Sequence, residues 1–385
     1  MKIIKSFQGL RVIAMLFIFF FHFKIHGEGT FANIYNKFFE DGYFAVTFFF
    51  VLSGFLTFNK LKDKDISFSI KNSFKFMLNK MKKLYPLYAV MILVVFVVNV
   101  TPEKIFRWII LSIPSFLLLQ SFVPLGAVYF SFNGVGWYIS VLAFCYFISY
   151  FFMLKINSSK ALKSIIIIYI FQCTCVFLGK NAKINQWLFY INPIFRSLDF
   201  LQGMLLASFI NEHSNIKYKS TSFIEMMLVV VFLVQYLFIS KYIPQAFKWG
   251  TFYLPIILLI LAVFYYERGI ISRFLGNKMF LEVAKFSFEF YIIHQFIISQ
   301  CRVYLRLNEK LIEDGKEINF AIISLIPEKN TQTQINIMSH INGEIIERES
   351  LRNSIMKISE EELTSIIEKI LGDLYRKELK RVMEE

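Results

Sequence analysis

FQGLRVIAMLFIFFFHF (residues 7–23) decides the fold class, because a nearly unbroken apolar run of this length can cross most of a bilayer core as a helix. Arg11 interrupts the run and no small-x-small cleavage site follows it, so it reads as a retained span and not a secretory leader. Further apolar runs lie near 43–58, 84–100, 107–123, 136–154, 163–179, 194–210, 222–240, 250–266 and 281–304. The expectation is an all-α polytopic membrane protein of about ten transmembrane helices. Pro114 makes the fourth run a candidate re-entrant segment, which would leave nine.

Composition agrees with that reading. Of 385 residues, 56% are apolar, 18% aromatic and 18% charged, with 47 Phe and 19 Tyr and a mean hydropathy of +0.53. A soluble domain, a disordered chain and a disulfide-rich secreted module are excluded. Residues 306–385 carry 12 Lys/Arg against 16 Asp/Glu, whereas residues 1–305 hold a net charge of +18. The positive residues lie between apolar runs, where they suit anionic headgroups and topology better than nucleic acid, which is not expected as a partner. Cys145, Cys173, Cys175 and Cys301 fall in apolar runs without metal or redox spacing.

Lys2 and Lys5 at the N-terminus, and the lysines from Lys60 to Lys83 after the second run, place both segments in the cytoplasm by the positive-inside rule. The loops at 155–163 and 267–280 each carry three basic residues on what a ten-span count makes the outside, so the later topology stays open. The chain divides at about 305 into a membrane domain (1–305) and an acidic C-terminal segment (306–385). In that segment FAIISLIP (320–327) reads as one buried strand, and Ser359 with Glu362 reads as a capping box opening a helix to about 382. A small soluble α/β tail is expected, with His340 an ordinary surface or packing residue.

The chemistry-bearing residues sit inside the apolar runs. Arg11 and His22 are eleven helical steps apart, which gives about 16 Å of rise and returns the side chains to within about 20° of one face. A charge at the bilayer centre costs about 2.5–3.5 kcal/mol, so both should face a polar cavity, unless Arg11 snorkels and His22 makes a single interhelical hydrogen bond. Ser53-Gly54 reads first as a close-packing signal. Arg196 and Asp199, three apart, either pair with each other or leave the arginine to bind an anion. Glu282, Glu289, Tyr291 and His294 share the last run, where His294 is a second candidate acid or base. Trp137 either shapes a binding site or sits in an interfacial belt.

These segments together resemble a known family. FQGLRVIAMLFIFFFHF (7–23) followed by GYFAVTFFFVLSGFL (42–56) is similar to the opening of the acyltransferase-3 family of integral membrane acyltransferases, with its Arg-x10-His first helix and FFxxSG second. Lys82-Lys83-Leu84-Tyr85-Pro86-Leu87-Tyr88, Trp137 to Tyr146, Arg196 with Phe200 to Leu205, and Ser287 to His294 follow in the family's order. The resemblance spans about residues 3–305. It implies transfer of an acyl group, commonly acetyl from acetyl-CoA, to a hydroxyl of a cell-envelope polysaccharide or lipid-linked glycan, by a multi-pass protein of the cell membrane. Acyl-CoA would be a substrate and no permanently bound cofactor or metal is implied. Partners would be the acyl donor, the glycan acceptor and membrane lipids.

On this resemblance His22 would be the general base and Arg11 the anion-binding group, while Ser53, Gly54, Lys83, Trp137, Arg196 and His294 would line the donor and acceptor sites. Three positions depart from the family. Thr47 stands where many members have Asp, Lys83 where many have Arg, and Leu142 where many have Glu. Thr47 and Leu142 remove carboxylates that could orient a histidine, which leaves an inactive relative open. The rival reading is a transporter or flippase for an anionic glycan or lipid. No phosphate loop, dinucleotide fingerprint, metal cluster or nucleophile elbow is present, so direct transfer is preferred to a covalent serine mechanism. The tail also resembles the C-terminal half of a phosphotransferase-system EIIA domain. The phosphorylated histidine of that domain lies in the part absent here, and no phosphotransfer chemistry is expected.

Overall fold

The computed structural model describes residues 3–25, 29–67, 69–100, 105–213 and 220–313, with side chains as far as Arg302. These belong to the first of two compact units, Met1–Ser324, and the strand, helix and histidine expected in the tail lie outside the described residues. All regular structure among the described residues is helical. In chain order it comprises α1 (Lys5–His22), α2 (Thr30–Phe38), α3 (Phe44–Leu61), α4 (Ile70–Met81), α5 (Tyr85–Asn99), α6 (Ile105–Phe116), α7 (Gly126–Tyr129) and α8 (Trp137–Lys155). There follow α9 (Ala161–Gly179), α10 (Pro193–Glu212), α11 (Ser222–Val234), α12 (Gln245–Gly250), α13 (Leu254–Phe264), α14 (Ile270–Leu275), α15 (Lys278–Lys285) and α16 (Ser287–Glu313).

Six segments are long and apolar enough to cross a membrane: Lys5–His22, Phe44–Leu61, Trp137–Lys155, Ser158–Gly179, Ser222–Tyr242 and Gln245–Phe264. The pair α4–α5, bent by 66°, makes a seventh if it is one broken span. The bend has a local cause. Pro86 has no N–H to return to the carbonyl of Lys82, and its ring would collide with that carbonyl in a continuous helix. The remaining runs of the ten expected are altered in specific ways. α6 has only 12 residues and contains Pro114, α10 carries Arg196, Asp199 and Glu212, and the last run breaks at Phe286 between α15 and α16.

α10 is the centre of the bundle, which explains how it carries charge. Asn192 caps it through its side-chain oxygen, which accepts from the Ile194 N–H at 2.8 Å, and Pro193 occupies the first turn. It packs beside α3 in the same direction, as the contacts Arg196 to Thr47 and Asn211 to Asn59 show. At the crossing a Cβ on Gly54 would strike the Phe200 carbonyl, and one on Gly203 would strike the Val51 carbonyl. The two glycines thus let the backbones touch, which is the packing role read for Gly54.

α1 is positioned from both ends. The Ser6 N–H donates to Glu267 Oε1 at 2.8 Å and the Ser6 hydroxyl donates to the Phe264 carbonyl at 2.8 Å. At the other end Arg302 Nη2 donates to the His22 carbonyl at 2.6 Å, a cation on a helix C-terminus. The turn into α3 is held by Asp41, which accepts from Lys248 Nζ at 2.9 Å, the Tyr43 hydroxyl at 2.6 Å and the Tyr253 hydroxyl at 2.7 Å.

Burial alone would push the Asp41 carboxyl up, but these hydrogen bonds outweigh it and hold it below the usual carboxylate value. A depressed folded-state value stabilises the fold above the unfolded carboxylate range, about pH 4, and that contribution fades as pH falls through the folded value. Asp41→Asn leaves Lys248 buried without its carboxylate and is expected to cost about 3–5 kcal/mol. Unfolding of the detergent-solubilised protein measures this. The wild type should lose stability on acidification below about pH 4, and the variant should show a smaller loss.

Candidate active site

The Arg11 and His22 side chains meet the same partner, α16. Arg11 Nη2 donates to the Ser287 hydroxyl at 2.8 Å and Nη1 donates to Gln8 Oε1 at 3.0 Å. His22 lies beside His294, with ring centroids 5.3 Å apart and planes inclined at 45°. Ser287 and His294 are seven residues apart and so return to within about 20° on α16, as Arg11 and His22 do on α1. Two matching polar stripes therefore run along the α1–α16 contact. The seven-residue spacing shows that Ser287 and His294 share a face of α16, but not that this face meets α1.

Around Arg11 the groups are neutral or lie beyond ion-pair contact. Tyr138, Tyr146 and Glu289 act on it electrostatically, yet Arg11 makes no ion pair among the described residues. Ser53 lies against the same two tyrosines, so it does belong to the wall of the Arg11 end. Lys80, which sequence reasoning did not single out, places its ammonium over the Tyr146 ring at 4.9 Å. Lys83 is exposed at the α4–α5 bend. The Tyr-Pro-x-Tyr segment beside it is structural. The Tyr85 and Tyr88 hydroxyls donate to the Phe116 and Ser115 carbonyls, both at 2.9 Å, and so satisfy the end of α6.

The His22 end is walled by aromatic rings. Phe19, Phe290 and Tyr291 surround His294 at centroid distances of 6.4, 6.0 and 5.8 Å, and Phe21 lies 4.9 Å from His22. Asn133 Nδ2 donates to the Ile292 carbonyl at 2.7 Å and the Tyr291 hydroxyl donates to the Val135 carbonyl at 3.1 Å, which hold this part of α16 against the loop before α8.

Arg196 is a separate matter. It is fully buried, pairs with Asp199 Oδ2 at 2.7 Å and donates to Thr47 Oγ1 at 3.1 Å and the Tyr190 carbonyl at 2.9 Å. Asp199 accepts in turn from Gln172 Nε2 at 2.8 Å. The ion pair read for Arg196 is present, and its Nη2 is buried without a hydrogen-bond partner among the described residues. Thr47 therefore faces Arg196 and not His22, so a carboxylate at that position would meet the arginine and not orient the histidine. Trp137 is buried, with its ring centroid 4.8 Å from that of Tyr190, whose carbonyl accepts from Arg196.

This arrangement pairs an arginine free of carboxylate contact with a histidine pair farther along one helix face. A family model described as an acyltransferase domain, that of the acyltransferase-3 family, matches residues 4–326. The chain belongs to the acyltransferase-3 family. It is a multi-pass membrane O-acyltransferase, and the apolar helices and the family agree on that point. No curated protein and no solved structure matches it. Within this family member, the α1–α16 seam is where charge, imidazole and unpaired hydrogen-bonding capacity converge.

Proposed function

We propose that the protein transfers an acyl group, most simply acetyl, from acyl-CoA to a hydroxyl of a cell-envelope polysaccharide or its lipid-linked precursor. The observation that carries this reading is the common alignment of Arg11 and His22 along α16, with Arg11 lacking a carboxylate partner among the described residues. With the lysine-rich N-terminus and the 60–83 segment in the cytoplasm, Arg11 lies nearer the cytoplasmic face and His22 nearer the opposite one. A polyanionic donor entering from the cytoplasm meets Arg11, whose permanently charged planar fork suits phosphate oxygens or a developing oxyanion. The acceptor hydroxyl meets His22.

His22 removes the hydroxyl proton as the oxygen attacks the thioester carbonyl carbon. The new C–O bond forms, the C–S bond breaks, and the thiolate leaves and takes up the proton held by the imidazole. Direct transfer needs no acyl-enzyme, so trapping an acyl group on His22 or Ser53 would overturn it.

The test is transfer of label from radiolabelled acetyl-CoA into the glycan fraction of membranes holding either the intact protein or equally abundant, folded His22→Ala protein. Label that requires both the protein and His22 supports the reading. No label from the intact protein in acceptor-competent membranes refutes acetyl-CoA as donor and returns weight to transport without chemistry.

A further inference from the structure

His294 is buried to 3% exposure and its two ring nitrogens differ in a way that limits its role. Nδ1 lies 2.7 Å from the Tyr291 carbonyl oxygen, which can only accept, so Nδ1 carries the hydrogen. In the neutral ring the lone pair then resides on Nε2. That nitrogen has no hydrogen-bond partner among the described residues. Buried acceptors left this way are uncommon and need a reason. The ring is also held in place. Its neighbours Tyr291 and Ile292 are tied to Val135 and Asn133, and Phe290 stacks on it with planes 11° apart.

The His22 ring, which lies beside it, can donate to that lone pair. Two imidazoles joined by an N–H···N bond of about 3 Å have centroids about 5 Å apart, once a ring radius is added at each end. The observed separation is 5.3 Å. That separation leaves room for a hydrogen bond between the two rings once the half-buried His22 ring is turned to face Nε2. The usual orienting partner of a histidine base is a carboxylate, and none contacts His22 among the described residues: Thr47 is engaged with Arg196, and Leu142 is apolar.

We propose that His294 is the positioning residue for His22, accepting a ring N–H of His22 at Nε2 so that the opposite nitrogen presents its lone pair to the acceptor hydroxyl. The proposal rests on the preceding reading of His22 as the base. It replaces the carboxylate of a base–carboxylate dyad with a neutral imidazole whose tautomer is set by its own backbone. No proton need leave His22 for His294. The hydrogen bond selects one tautomer and one ring orientation, and the hydroxyl proton goes to the free nitrogen.

Three replacements of His294 separate this role from packing. His294→Asn keeps a donor near the Tyr291 carbonyl but has no atom where Nε2 lies. His294→Gln and His294→Glu put an oxygen acceptor at about that place. In the acetyl-CoA transfer assay, with folded abundance matched, the Asn variant is expected to lose about 100-fold in kcat with the donor KM unchanged, as a mispositioned base would. Gln and Glu are expected to recover to within about tenfold of wild type. Full activity of the Asn variant overturns the proposal. So does equal inactivity of folded Gln and Glu variants, which remain decisive if the Asn variant does not accumulate. Activity in the wild type and its loss in His22→Ala establish the underlying base in the same experiment. If the wild type transfers and His22→Ala transfers equally well, the base assignment fails and this proposal fails with it.

Discussion

Arg11→Ala is expected to raise the KM for the acyl donor by about 10- to 100-fold, the value of a charge-assisted hydrogen bond to an anion, while His22→Ala lowers kcat by about 10²–10⁴-fold. The split follows from where each side chain lies. Arg11 donates to Gln8 and Ser287, both neutral, and makes no ion pair among the described residues. Keeping an uncompensated guanidinium in a membrane helix is costly unless a ligand uses it. His22 is about 16 Å farther along the helix and meets an imidazole in place of a cation-binding group. Arg11→Lys should be intermediate, because a point charge keeps the attraction and loses the planar fork. Steady-state kinetics with the donor varied at saturating acceptor measures both effects. The reverse pattern, a kcat defect at Arg11 and a KM defect at His22, would show that the division of labour along α1 is wrong.

Gly54→Val and Gly203→Val are each expected to remove most folded protein. Any Cβ at these positions meets a backbone carbonyl of the facing helix, and a carbonyl cannot rotate away as a flexible side chain can. The helices must separate, and α3 and α10 also carry the buried pair Arg196–Asp199 and its bond to Thr47. Separation therefore loosens packing and weakens a charged network that has no access to water. Overpacking in a core costs about 1–3 kcal/mol even when neighbours can adjust, and membrane helices depend on small residues for close approach. Gly54→Ala should give a graded form of the same loss. The check is the amount of monodisperse protein after detergent extraction together with its melting temperature. Wild-type yield and stability in both Val variants would contradict the packing assignment and reopen a ligand-binding role for Gly54.

Much of the site was legible because helical geometry is local. Arg11 and His22 had to share a face once 5–22 was helical, and an apolar environment made that face a polar seam. Other features resisted for physical reasons. The run at 194–210 reads as one of ten spans, but Arg196, Asp199 and Gln202 keep α10 from being one of the apolar crossing helices; the helix is enclosed by α3, α8 and α9, so these groups are buried among protein. The break at Phe286 lies inside the 281–304 run and is not marked by a change of composition, since apolar and charged residues are mixed on both sides of it, and it sets Ser287 at the level of Arg11.

The sequence by itself determined a helical membrane protein, its family, and the polar stripe of α1, because composition and the helical repeat act within a single segment. Only the tertiary structure decided the partners. Arg11 meets Ser287, 276 residues away, and His22 meets His294. Thr47 turns to Arg196, and Arg196 to Asp199. Such choices depend on which helices come close enough to share hydrogen bonds, and here that is set by contacts such as the α3–α10 glycine crossing and the end-pinning of α1. No periodicity within one helix encodes them.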